Sequence, residues 1–152
     1  MSVLLTVVDA SARWNRVATI WDIRPGCWWY PLDTDTTRPD VLALEATADA
    51  VHKVTEVVRQ VLQRRGVQDC LEFPEFSDQR TYQLAVTELD LNYQDSERFW
   101  TDDPYDWIVY SSHESSLTLG GTWLIADLKS MWPDWGSHLW RCGDPAFVHR
   151  ST

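Results

Sequence analysis

Between Pro39 and Gly66 the chain reads PDVLALEATADAVHKVTEVVRQVLQRRG. Leu44, Val51, Val54, Val58 and Val61 recur at a spacing of three to four, while Glu45, Asp49, Lys53, Glu56 and Arg59 fall largely off that stripe. The pattern predicts an amphipathic helix that opens at Pro39 or Asp40 and runs to Arg65. Arg64 and Arg65 suit its C-terminal end electrostatically, and Gly66 supplies a left-handed stop. Valine loses rotamer freedom in a helix, so this one holds only if its stripe is buried on another surface. The chain must therefore supply a sheet for the helix to lie on.

Several short segments have the composition of strands. Val3–Val8 is an apolar run rich in branched residues, and Val17, Trp21 and Ile23 share a phase opposed by Arg16 and Asp22. With Asp9, Ser11 and Asn15 between them, the two read as an N-terminal hairpin. Pro25–Gly26 turns the chain into an extended aromatic segment, CWWYPL, followed by a polar loop, LDTDTTRPD. Val67, Leu71 and Phe73 alternate with polar residues, and Tyr82, Leu84 and Val86 do the same. The apolar phase then slips by one, to Leu89, Leu91 and Tyr93, which predicts a bulge or break near Thr87. The stretch NYQDSERFWTDDPYD reads as a polar loop. Tyr105–Ser111 is apolar on both phases and reads as a central strand, with Leu117 and Leu119 in its hairpin partner. Gly120–Gly121 ends that partner, and Thr122 is placed to cap a helix over Trp123–Trp132 that Pro133 stops. Its buried face is Leu124, Leu128, Met131 and Trp132, and Trp135, Leu139 and Trp140 in the tail pack back on it. The expected fold class is α+β. Residues 1–152 form one domain, with an antiparallel or mixed sheet of about five or six strands packed by one long and one short helix.

With 152 residues and no repeat or linker, the chain can bury a core without staples. Cys27, Cys70 and Cys142 are an odd set without close spacing, which argues against a secreted disulfide framework. The N-terminus has no basic region ahead of its short apolar run, and no run reaches the roughly 20 residues that cross a bilayer. These features predict a cytoplasmic protein. Arg far outnumbers Lys and Trp is abundant, the composition expected of a GC-rich bacterial genome.

The net charge of −10 is not spread evenly. From Asp69 to Glu114 twelve acids face only Arg80 and Arg98, and the rest of the chain is balanced. Such a segment repels nucleic acid and attracts a basic protein, whose encounter it accelerates. Chemical motifs are sparse. His113–Glu114 begins like a zinc-hydrolase helix, but position 117 is Leu where the second His would stand, and the context is strand–turn–strand. The pair belongs at a hairpin tip spanning Ser112 to Ser115. Asp102, Asp103 and Asp106 are hard oxygen donors without the spacing of a calcium loop. His138 and Cys142, with His149, lack the partners of a zinc site. Phosphate-loop, nucleophile-elbow and dinucleotide fingerprints are absent, so neither metal nor cofactor is expected.

What remains is an acidic segment with Tyr93, Phe99, Trp100, Tyr105 and Trp107 set among its charges. A small, acidic chain with ten Trp, few Cys and no catalytic motif resembles the immunity proteins that neutralise toxins of interbacterial competition. The resemblance implies a non-enzymatic inhibitor that occludes a basic toxin or other basic protein with carboxylates and aromatics. The residues expected at that contact are Glu97, Trp100, Asp102, Asp103 and Asp106, with His113 and Glu114 as neighbours if the tip lies on the same side. Two alternatives stand beside it. One is a small hydrolase or transferase using His113 and Glu114. The other is an acidic mimic of nucleic acid, which needs carboxylates in two extended rows.

Overall fold

The computed structural model describes residues 2–24, 26, 29–31, 38–75, 80–94 and 96–141. The CWWYPL segment lies partly, and Leu32–Thr37 of the polar loop wholly, outside the described residues, as do Cys27, Cys142 and His149. The described chain is α+β, with one antiparallel sheet of seven strands, more than the five or six expected. In chain order the strands are β1 (Val3–Leu4), β2 (Val41–Glu45), β3 (Asp69–Pro74), β4 (Tyr82–Ala85), β5 (Arg98–Thr101), β6 (Ile108–Ser112) and β7 (Ser116–Gly120). Their order across the sheet is β1-β4-β3-β5-β6-β7-β2. Three helices, α1 (Val7–Trp21), α2 (Ala48–Arg64) and α3 (Thr122–Met131), cover it.

The alternation of side chains along each strand divides the core in two. One face presents Cys70, Leu84, Trp100, Trp107, Val109, Leu117 and Leu119 to the valines of α2 and to Leu124, Ile125 and Leu128 of α3. The other presents Leu71, Phe73, Phe99, Ile108 and Tyr110 to Val17 and Trp21 of α1 and to Trp29. Each fully buried Val or Leu on these faces contributes about 1.5–3 kcal/mol relative to its exposed state, so α2 owes its stability to the sheet beneath it.

The N-terminal hairpin is replaced by β1 and a helix. Thr6 caps that helix, its hydroxyl accepting from the Asp9 amide at 3.2 Å and donating to the Asp9 carboxylate at 2.6 Å. Trp14, Val17 and Trp21 stand at helical spacing and turn inward, while Asp9, Ser11 and Asn15, which read as a loop, lie on the exposed side. Val7 and Val8, expected in a buried strand, are 81% and 78% exposed.

The long helix begins later than its stripe suggests. Val41–Glu45 pairs with β7 through all five residues, and Leu44 is buried in the sheet instead of on the helix. Thr47 caps α2, accepting from the Ala50 amide at 3.3 Å. A strand also lies where the polar loop over 92–106 was expected: β5 sits between β3 and β6 in the middle of the sheet. The expected break near Thr87 is a 3₁₀ turn over Val86–Glu88. At the start of α3 the cap is Gly121, not Thr122, whose side chain makes no capping bond. Gly121 has φ 114°, and a Cβ there would meet the Asp106 carbonyl oxygen at 2.8 Å. Pro133 ends α3 as predicted, and Leu139 bridges back to Leu44.

Candidate functional site: the two ends of the acidic strands

Antiparallel pairing sorts the connections to opposite ends of the sheet. The register that sets Leu71 opposite Thr101 carries Asp69 to the same end as Asp102 and Asp103. The β5–β6 turn, with Asp106, and the 3₁₀ turn after β4, with Glu88, lie at that end too. Glu97 and the β6–β7 turn, with His113 and Glu114, lie at the other. Glu97 and Asp102 are separated by roughly 17 Å of extended chain. The residues expected at one contact therefore divide into an Asp102, Asp103 and Asp106 group and a Glu97, His113 and Glu114 group.

Trp100 belongs to neither. It is 0% exposed, on the α2 face, and its indole N–H donates to Glu72 Oε2 at 2.9 Å. It cannot meet a partner from there. Phe99, Tyr105 and Trp107 are buried as well, and of the five aromatics expected at the contact or around it only Tyr93 is exposed. An indole or phenol is large enough to close the gap between sheet and helix, so aromatics in a thin two-faced sheet are drawn inward whatever charge flanks them.

At the Asp102 end, Thr101 Oγ1 donates to the Trp107 carbonyl at 2.5 Å and Tyr105 has φ 56°, which together fold the turn back sharply. Asp103 is exposed and receives the Arg13 guanidinium from α1 and the Tyr105 hydroxyl at 3.2 Å. Asp106 accepts from Trp123 Nε1 at 3.1 Å. Asp102 is 8% exposed, and its Oδ1 and the Trp107 Nε1 are both buried without a well-formed hydrogen bond. Burial raises its carboxyl above the usual range, the nearby Trp107 N–H pulls the other way, and Asp106 and Asp103 add to the rise.

At the other end, Glu97 is 3% exposed and its carboxylate is surrounded by donors. Tyr110 hydroxyl donates to Oε2 at 2.5 Å, Ser112 Oγ reaches Oε1 at 3.3 Å, and His113 Nδ1 lies 2.5 Å from Oε1. His113 Nε2 is 3.2 Å from Glu114 Oε1. Burial and then the Glu97 carboxylate push the Tyr110 hydroxyl far above its ordinary value, so it is a fixed donor. His113 and Glu114 are exposed on the tip of the β6–β7 hairpin, as predicted, with Ser115 at φ 55° closing the turn. The link from Glu97 to His113 spans 16 residues and two strands, and no local pattern announced it.

One further polar feature went unread in the sequence. A cleft of about 230 Å³ opens beside β4, walled by Glu72, Tyr82, Arg98, Asp90 and Asn92. Glu72 is committed on both oxygens, to Arg98 and to Trp100, and Asp90 to the amides of Asn92 and Gln94. Among the described residues no group of three or more His, Cys, Asp or Glu is placed to hold a metal ion. The Cys70 thiol is buried and pushed up to about 12, which leaves it unreactive. No described helix is long and apolar enough to cross a membrane.

The chain matches no protein-family model, no curated protein and no solved structure.

Proposed function

We propose that this chain is a binding protein of the immunity type, which occludes a basic protein through the acidic end of its sheet. The observation that carries the reading is the convergence of the exposed Asp69, Asp103 and Asp106 at one end of the neighbouring strands β3, β5 and β6. Fixed carboxylates on a rigid sheet end steer a cationic partner and set its register, with little ordering cost on binding. The contact differs from the one expected of the sequence: it keeps Asp103 and Asp106 and gains Asp69, while Trp100 and Asp102 are buried and Glu97, His113 and Glu114 lie at the other end of the sheet. The test is co-purification with a basic protein encoded by the adjacent gene. Association slows by roughly tenfold when ionic strength rises from about 0.01 M to about 0.15 M and the Debye length falls to about 8 Å. Asp103→Lys with Asp106→Lys gives a similar loss. A complex that ignores both salt and charge reversal overturns the reading.

One observation favours a second reading, the buried Glu97 carboxylate on His113 Nδ1. A carboxylate there fixes the imidazole and leaves Nε2 outward as a proton acceptor, the arrangement of a general base in a hydrolase or transferase. Glu114 then has to swing off Nε2 to admit a substrate. Hydrolysis of activated esters or phosphodiesters that is lost in His113→Asn at unchanged Tm supports it. Absence of turnover by the unaltered protein across both classes removes it.

A further inference from the structure

We propose that the tip of the β6–β7 hairpin is a second contact for the basic partner, opened and closed by one proton on His113. This rests on the basic-partner reading for its occupant, but the latch itself does not. Both imidazole nitrogens face carboxylate oxygens, Nδ1 toward Glu97 at 2.5 Å and Nε2 toward Glu114 at 3.2 Å. A neutral imidazole has one N–H, so it can satisfy only one of them; the imidazolium donates to both. The contacts are not equivalent. Glu97 is buried at 3% exposure and held by Tyr110 and Ser112 from β6, so it keeps the remaining N–H when the proton leaves. Glu114 is exposed, and its carboxylate would then face the Nε2 lone pair. It swings free.

The surroundings set the sign of the switch. Glu45 ends β2 opposite Ser116, and Glu75 follows β3 close enough to act on the Tyr110 hydroxyl. On the C-terminal side Trp140 Nε1 donates to the Glu114 carbonyl at 3.3 Å, which anchors the backbone of the turn while its side chain moves. The charged groups placed around His113 in these contacts are thus all carboxylates. In the closed state the imidazolium sits between the Glu97 and Glu114 carboxylates, while Arg98 at the same end is paired with Glu72. In the open state Glu114 is available, and an ammonium or guanidinium of the partner takes the place His113 held.

The test uses the intact chain and NMR. Raising the pH should move the Glu114 side-chain and amide resonances at the same midpoint as the His113 ring. His52, exposed and beside Glu56, is the internal comparison. The coupled step should vanish in Glu114→Gln, a surface change, and in Glu97→Gln if that variant folds. Addition of tetra-arginine should then shift the hairpin amides above the midpoint and not below it. If Glu114 does not move with His113, the latch is wrong. If it moves but the peptide leaves the tip untouched at either pH, the second contact is wrong, while docking at the Asp69–Asp106 end is judged separately by its own charge reversals.

Discussion

Asp102 and Asp103 are adjacent in sequence and opposite in circumstance. Asp103 points to solvent and meets Arg13, whereas Asp102 is buried, with an oxygen that lacks a good donor. Because burial raises the Asp102 carboxyl in the folded state, the native chain holds that proton more tightly than the unfolded chain, whose carboxyl titrates near ~3.9. Its contribution to stability is full below that value and is lost as pH rises through the raised folded value. Asp102→Asn should therefore melt above the unaltered protein at neutral pH, with the gap closing in acid; equal melting curves at both pH values would remove the argument. Gly120 is a different kind of residue-scale constraint. A Cβ there would meet Ile108 Cγ2 and Trp21 Cζ3, each at 2.7 Å. Gly120→Ala should cost about 1–3 kcal/mol in urea unfolding, since sheet and α1 must part to admit it.

Among elements, α1 and β5 show how local chemistry and packing compete. Removing either threonine cap, Thr6→Ala or Thr47→Ala, should cost about 1 kcal/mol by urea denaturation, because each hydroxyl satisfies an amide at a helix start. β5 has no such local support. Its four residues pair with β3 on one side and β6 on the other, and bury Phe99 and Trp100 on opposite faces. Trp100→Ala should cost about 3–5 kcal/mol. Trp100→Phe should cost less, the remainder being the donor lost from Glu72. These elements also mark where the sequence was legible. Strands β6 and β7, dense in apolar residues around a short turn, and the body of α2, with its valine stripe, were readable from periodicity. α1 was missed because Val3–Val8 looks like a strand, yet Trp14, Val17 and Trp21 already carried the helical spacing. β5 was missed because Asp95, Glu97, Asp102 and Asp103 crowd a four-residue strand and mask it as loop.

For the whole molecule, the net charge of −10 works against compactness as well as for encounter with a basic protein. Salt should therefore act in opposite senses, raising the Tm of the free chain while loosening the proposed complex with a basic protein. A Tm that falls with salt would mean that pairs such as Arg38–Asp40 and Arg65–Asp127 outweigh the repulsion. The site was partly legible at this scale. That the excess acid lies in residues 69–114 is a property of the sequence, but a linear count cannot tell which end of a strand a connection occupies.

From the amino-acid order alone come the α+β class, the valine helix with its need for a sheet, the β6–β7 hairpin with His113 and Glu114 at its tip, and the location of the acid in the chain. Those are set by periodicity, turn chemistry and charge, all short-ranged along the backbone. Only the folded chain decides that Leu44 belongs to a strand, that Trp100 is buried, that Glu97 lies under His113, and that the carboxylates part into two groups. Each of these depends on pairing between distant strands, whose register is chosen by burying both faces of the sheet at once. No window of sequence contains that choice.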